Sequence, residues 1–292
     1  MKILLKISLV LIALTFMAMK GDKPAYMLFD ADGKNASFKK LVKDAANADI
    51  IFFGEQHNNP ITHWLQLELT EELYDQKKNK LVLGAEMFES DNQLVLDEYL
   101  IGQCSAKNFE KEAKLWKNYK TDYKPLVDFA KENDLSFIAT NIPRRYASLV
   151  YKQGFEGLDS LSTEAKELIA PLPVKYDANL PGYKAMLEGM EGMGAHANPN
   201  LPKAQAIKDA TMAHFILENW EKGKTFIHYN GSYHSDNFEG IVWYLKQENP
   251  NLKIFTITTI EQDTITELKD ENKNVADYIL CVPSNMTKTY PM

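Results

Sequence analysis

The chain has 292 residues and a formal net charge of −7 at pH 7, long enough for one large domain with a sizeable core. The acidic balance, with no Lys/Arg cluster longer than a pair, argues against a phosphate-tracking surface and sets nucleic acid aside. Only Cys104 and Cys281 are present and neither lies in a Cys-x-x-Cys pair, which excludes cysteine-based zinc or iron–sulfur sites.

The chain opens with an apolar run from Ile3 to Met19, preceded by Lys2 and interrupted by Lys6. It reads as a secretory signal over residues 1–21 and directs the remainder to the periplasm or cell envelope. The run is short for a membrane span, but no small-x-small pair marks a cleavage point. An uncleaved, membrane-tethered form is therefore the alternative. No cysteine follows the run to carry a lipid anchor at this end. Residues 22–292 are read as a single α/β domain.

Strand-length apolar runs follow at Ile50–Phe53, Leu81–Ala85, Leu135–Ala139, Thr225–Tyr229, Ile254–Thr258 and Tyr278–Val282. Helical patterns alternate with them. Ile61, Trp64, Leu65, Leu69 and Leu73 share one helical face, Pro125 opens a second helix, and Ala204–Trp220 and Asn237–Lys246 read as two more. Strands alternating with helices predict a mainly parallel sheet flanked by helices. Residues 157–202 break this rhythm with Pro171, Pro173 and Pro181, then Gly189, Gly192 and Gly194 beside His196. They read as a helical, lid-like insertion, with Tyr183, Met186, Leu187, Met190 and Met193 at helical spacing. Two readings stay open for that stripe: packing on the body, or covering a flat apolar ligand.

Gly-x-x-His occurs twice, each time after a strand-like run: Gly54-Glu55-Gln56-His57 and Gly231-Ser232-Tyr233-His234. In open parallel sheets ligands bind outside the carboxyl ends of the strands, so the two histidines are expected to meet there. A second run ends in Glu86 and Glu89, and a third in Asn141-Ile142-Pro143-Arg144-Arg145-Tyr146. Buried polar groups without partners cost several kcal/mol each, on the order of 2–7, so four such ends at one edge imply a paired network or a ligand. Glu86, inside a strand end, is harder to explain structurally than Glu89, which resembles part of a helix cap. One of Arg144 and Arg145 is expected to pair with a carboxylate and the other to face solvent. His214 and His228 read as core histidines and His63 as a solvent-facing one. Asp209 shares a helical face with Gln205 and is a candidate partner for a site histidine.

Taken in order, Gly54-Glu55-Gln56-His57, Gly84-Ala85-Glu86-Met87-Phe88, Asn141-Ile142-Pro143-Arg144, Gln205-x-x-x-Asp209-x-x-Met212-Ala213 and Gly231-x-x-His234 resemble the signatures of the ChaN-like haem-binding uptake family, within the Tiki and erythromycin-esterase superfamily. The resemblance runs from about Asp49 to Asp236. It implies an exported haem-binding protein involved in haem or iron uptake, with haem or another small molecule as ligand. It also implies an iron-ligating tyrosine at the interface of a homodimer. No motif places that tyrosine. Tyr146, beside the arginines, and Tyr183, at the head of the Met stripe, are the candidates, with Arg144 or Arg145 for the haem propionates.

The enzymatic branches imply an alternative, a hydrolase of an ester or peptide. There His57, His234, Glu55 and Glu86 bind a divalent transition metal, or act without one as general base and carboxylate partners.

Overall fold

The computed structural model describes residues 23–189 and 198–291. The segment expected to be a signal, and Met190, Gly192, Met193, Gly194 and His196 of the insertion, lie outside the described residues. The first half of the chain runs β1 (Met27–Asp30), α1 (Phe38–Ala45), β2 (Ile50–Glu55), α2 (Pro60–Lys77), β3 (Leu81–Glu89), α3 (Gln93–Leu100), α4 (Ala106–Glu112), α5 (Lys124–Glu132) and β4 (Phe137–Asn141). The second half runs α6 (Arg144–Gln153), α7 (Thr163–Lys166), α8 (Pro181–Glu188), α9 (Leu201–Asn219), β5 (Thr225–Gly231), α10 (Ile241–Glu248), β6 (Ile254–Gln262) and β7 (Tyr278–Pro283).

The strands form one sheet in the order β1-β7-β6-β2-β5-β3-β4. All neighbours are parallel except the edge strand β1, which runs antiparallel to β7. Parallel strands are covered on both faces and so read as continuous apolar runs; β2 and β5 are buried along their whole length. Side chains alternate between the faces. Ile51 and Phe53 belong to the cluster with Leu65, Leu69 and Leu73 of α2 and Leu126 and Val127 of α5. Ile50 and Phe52 belong to the other, with Ile207, Ala210 and Ile216 of α9 and Val242 and Leu245 of α10. The insertion adds α7 and α8, and Tyr183 stacks on Tyr176 with ring centroids 5.7 Å apart. Among the described residues no helix is long and apolar enough to cross a membrane.

The fold is the expected α/β sheet flanked by helices, with three local departures. Strand β1, four residues at the sheet edge, is too short to show a pattern. Strand β3 runs past Ala85 to Glu89, with a register irregularity against β4 between those two residues. Irregularities of this kind re-aim side chains, and Glu86 falls within it. Helix α10 starts at Ile241 rather than Asn237 because Asn237, Phe238 and Gly240 take φ values of 57°, 59° and 53°, outside the helical region.

Close packing beside the site rests on Gly84 of β3, where an added Cβ would lie 2.6 Å from Cζ of Phe226. Gly84→Ala is expected to destabilise the fold by about 1–3 kcal/mol through overpacking, read as a lower urea midpoint at unchanged slope.

Candidate functional site

The sheet order places β2, β5 and β3 side by side, and their register brings the motifs to one level. Gly54 lies opposite Asn230 and Glu55 opposite Gly231, while Ala85 lies opposite Tyr229. Both Gly-x-x-His turns therefore leave adjacent strands at the same carboxyl rim, beside Glu86. A Cβ on Gly231 would sit 2.8 Å from Cε1 and 2.9 Å from Nε2 of His57. The glycine of the second motif makes room for the imidazole of the first.

Glu55 is buried and fully engaged. One carboxylate oxygen lies 2.9 Å from Nδ1 of His57 and accepts from the Tyr123 hydroxyl at 2.7 Å. The other accepts from Nε2 of Gln66 at 2.8 Å. Burial works against its charge, yet the His63 and His57 rings and these hydrogen bonds hold its carboxyl below the usual range. Burial likewise disfavours the His57 cation, but its bond to Glu55 and the Glu86 charge outweigh that and raise its pKa. The His57 side chain keeps 27% of its surface exposed and meets Trp116 edge-on at 4.8 Å.

The second histidine is enclosed. Nδ1 of His234 lies 2.5 Å from Oδ1 of Asp209, and Nε2 lies 3.2 Å from Oε1 of Glu86. The Gly231 N–H donates to Oε2 of Glu86 at 2.7 Å, and the Tyr183 hydroxyl donates to Oδ2 of Asp209 at 2.7 Å. The Gln205 amide lies against the ring, 3.0 Å from Nε2 and 3.1 Å from Nδ1. Burial disfavours a charged imidazole, but the two carboxylates prevail and push its pKa up to about 10. Burial also opposes the charge on Glu86, and the His234 and His57 rings pull its carboxyl far below the ordinary value. His234 is thus held toward its cation between two carboxylates, and His57 is the imidazole whose ring surface is open at the cleft.

These groups floor a cleft of about 600 Å³, with Trp116, Ile142 and Met186 as apolar walls and Arg144, Lys208 and Tyr233 in the lining. Arg144 and Arg145 divide as expected. Arg145 pairs with Asp91 and lies over the Tyr146 ring at 4.4 Å, whereas Arg144 has no carboxylate partner among the described residues. Neither Arg145 nor Tyr146 is in the cleft lining. Tyr183 also departs from its expected role as an open ligand: it is buried with its hydroxyl committed to Asp209. Its neighbour Met186 does line the cleft.

The metal expectation for His57, His234, Glu55 and Glu86 is not met by the geometry. Among the described residues no group of three or more His, Cys, Asp or Glu is arranged to hold an ion. Both His234 nitrogens already face carboxylates, and Glu55 and Glu86 spend their oxygens on hydrogen bonds. His63 is another correction. It is buried, with its ring nitrogens 3.1 Å from Oε1 of Gln66 and 3.1 Å from the His57 carbonyl, and within 3.6 Å of Glu55 and 3.5 Å of Asp122. His228 is a core histidine as expected, bonded to Thr140 and Asn230, its pKa pushed down by burial to about 4. Sequence reasoning missed Gln66, Asp122, Tyr123, Lys208, Tyr233 and Asn118, whose amide donates to the His57 carbonyl at 2.8 Å. Only Gln66 left a signal, a polar residue between Leu65 and Leu69 on a helix expected to be buried on that side.

Fold and site together define a class, α/β proteins with a cleft at the carboxyl ends of central parallel strands, where such sheets place their ligands. Residues 41–245 match the family model described as haem-binding uptake, Tiki superfamily, ChaN. The chain belongs to that family. Among solved structures it is similar to ChaN of Campylobacter jejuni, described for its cofacial haem binding, with 18% identity and a TM-score of 0.66 over 89% of this chain and 97% of that one. It is also similar to a mutant of the erythromycin esterase EreC in its open conformation, with 10% identity and a TM-score of 0.50 over 89% and 98% of the two chains. At these identities the likeness is one of fold. No curated protein sequence matches the chain.

The raised pKa of His234 carries a stability signature. Its contribution is complete below the ordinary histidine value of about 6.5 and is lost as pH rises through about 10. Urea denaturation from pH 6.5 to 10 is expected to show falling stability, and His234→Asn to show a shallower fall. At neutral pH that variant is expected to lose about 3–5 kcal/mol, because two buried carboxylates lose their cation.

Proposed function

We propose that this chain is an exported haem-binding protein of the periplasm or cell envelope, acting in haem or iron uptake. Membership of the haem-binding uptake family supplies the ligand class. The observation in this chain that carries the reading is the cleft itself. Its volume suits a cofactor-sized ligand, and it sets apolar Trp116, Ile142 and Met186 beside Arg144 and Lys208, cations available to carboxylates. A flat macrocycle with two propionates fits that chemistry. Arg144 and Lys208 would hold the propionates; His57 is the partly exposed imidazole of the lining that could reach iron, and Tyr233 is the phenol that could do so on giving up its hydrogen bond to the Gly182 carbonyl. Bound haem would supply the redox-active iron. The protein's part is to hold the macrocycle between apolar walls and neutralise its carboxylates. Pairing of two subunits about the ligand belongs to the same proposal.

Titration of the purified chain with haemin is expected to saturate at a defined stoichiometry with a tyrosinate or imidazole spectrum. Arg144→Ala is expected to weaken binding about tenfold or more, the scale of one charge-assisted hydrogen bond. Diffuse, non-saturating uptake by the wild type removes the reading.

A second reading, hydrolysis of an ester or peptide without a metal, is favoured by one observation. His57 is oriented through Nδ1 by buried Glu55 and exposes its ring to the cleft, the arrangement of a general base held by a carboxylate. Turnover of a nitrophenyl ester that disappears in His57→Ala supports this reading; equal rates in the two proteins eliminate it.

A further inference from the structure

Asp209 on α9 has two carboxylate oxygens and they serve different elements. Oδ1 lies 2.5 Å from Nδ1 of His234, at the end of β5. Oδ2 accepts from the hydroxyl of Tyr183, on α8, at 2.7 Å. Helix α8 is tied down at two further points. The Gly182 N–H donates to Oε2 of Glu239 at 2.7 Å, and the Tyr233 hydroxyl donates to the Gly182 carbonyl at 2.5 Å. Three residues after Tyr183 on the same helix, Met186 forms part of the cleft wall. One short helix thus touches the ligand space with one side chain and the carboxylate behind His234 with another.

Packing alone does not account for the hydroxyl. The Tyr183 ring is buried and stacked on Tyr176, a contact that a phenylalanine would make equally well. A phenol placed at that depth needs a partner, and the partner here is the carboxylate that orients the imidazole. We propose that Tyr183 is a positioning residue for His234. Its hydroxyl fixes the Asp209 carboxylate, so the seating of α8 and the orientation of His234 are coupled. An occupant of the cleft that presses on Met186 draws on the same hydrogen bond, and the effect reaches His234 without direct contact. This coupling does not depend on which ligand the cleft takes.

The test is solvent exchange of the His234 Nδ1–H, followed by NMR on the histidine-labelled full chain. Tyr183→Phe keeps the ring and removes only the hydroxyl, and is expected to speed exchange about tenfold, the scale of one hydrogen bond to a charged group. Glu239→Ala frees the Gly182 N–H and leaves the Asp209 and His234 side chains intact; it is expected to speed exchange by a smaller factor. A purely structural Tyr183 predicts no change in Tyr183→Phe, and that result overturns the proposal. Acceleration in Tyr183→Phe with none in Glu239→Ala also overturns it, because the seating of α8 would then not be transmitted.

Discussion

A cation enclosed between two carboxylates organises this protein. Removing ionised groups from water costs several kcal/mol each unless they are paired and hydrogen-bonded, so none of Asp209, His234 and Glu86 tolerates loss of the others. They come from α9, the turn after β5, and the end of β3. Their mutual requirement fixes three elements, far apart in the chain, to one rim of the sheet. A further tie reaches the insertion, through the Tyr183 hydroxyl on Asp209.

The two histidines play unlike parts although their motifs match. His234 has both ring nitrogens turned toward carboxylates and is held charged. His57 has one carboxylate partner at Nδ1 and an open ring face. The contrast arises from the neighbours rather than the repeat. Glu55 is shared with Tyr123 and Gln66, whereas Glu86 and Asp209 both attend His234. Both imidazoles are pushed toward the charged form, but only His57 keeps part of its ring open to the cleft.

Much of this was legible in the sequence. Parallel strands covered on both faces announce themselves as continuous apolar runs, so β2 to β7 could be found, and motifs at strand ends located the rim. Asp209 could be suspected because it shares a face with Gln205. The remainder lacked such signals. Helix α2 buries Thr62, His63 and Thr70 as well as its leucines, so residues that look like a solvated face are a polar interior behind Glu55. Asp122 and Tyr123 come from a single π-helical turn, Tyr119–Tyr123, too short to show a periodicity. Tyr183 resembled an open ligand because spacing shows the face of a residue and not where its hydroxyl ends.

The bare backbone at Gly231 also shapes how the cleft selects. His57 lies against that peptide, whose N–H is spent on Glu86 and whose carbonyl accepts from Asn230. The Gly231 backbone beside the exposed imidazole therefore has its N–H and carbonyl already engaged. Discrimination at that point is a matter of contour, and recognition by charge falls to Arg144 and Lys208 elsewhere in the lining.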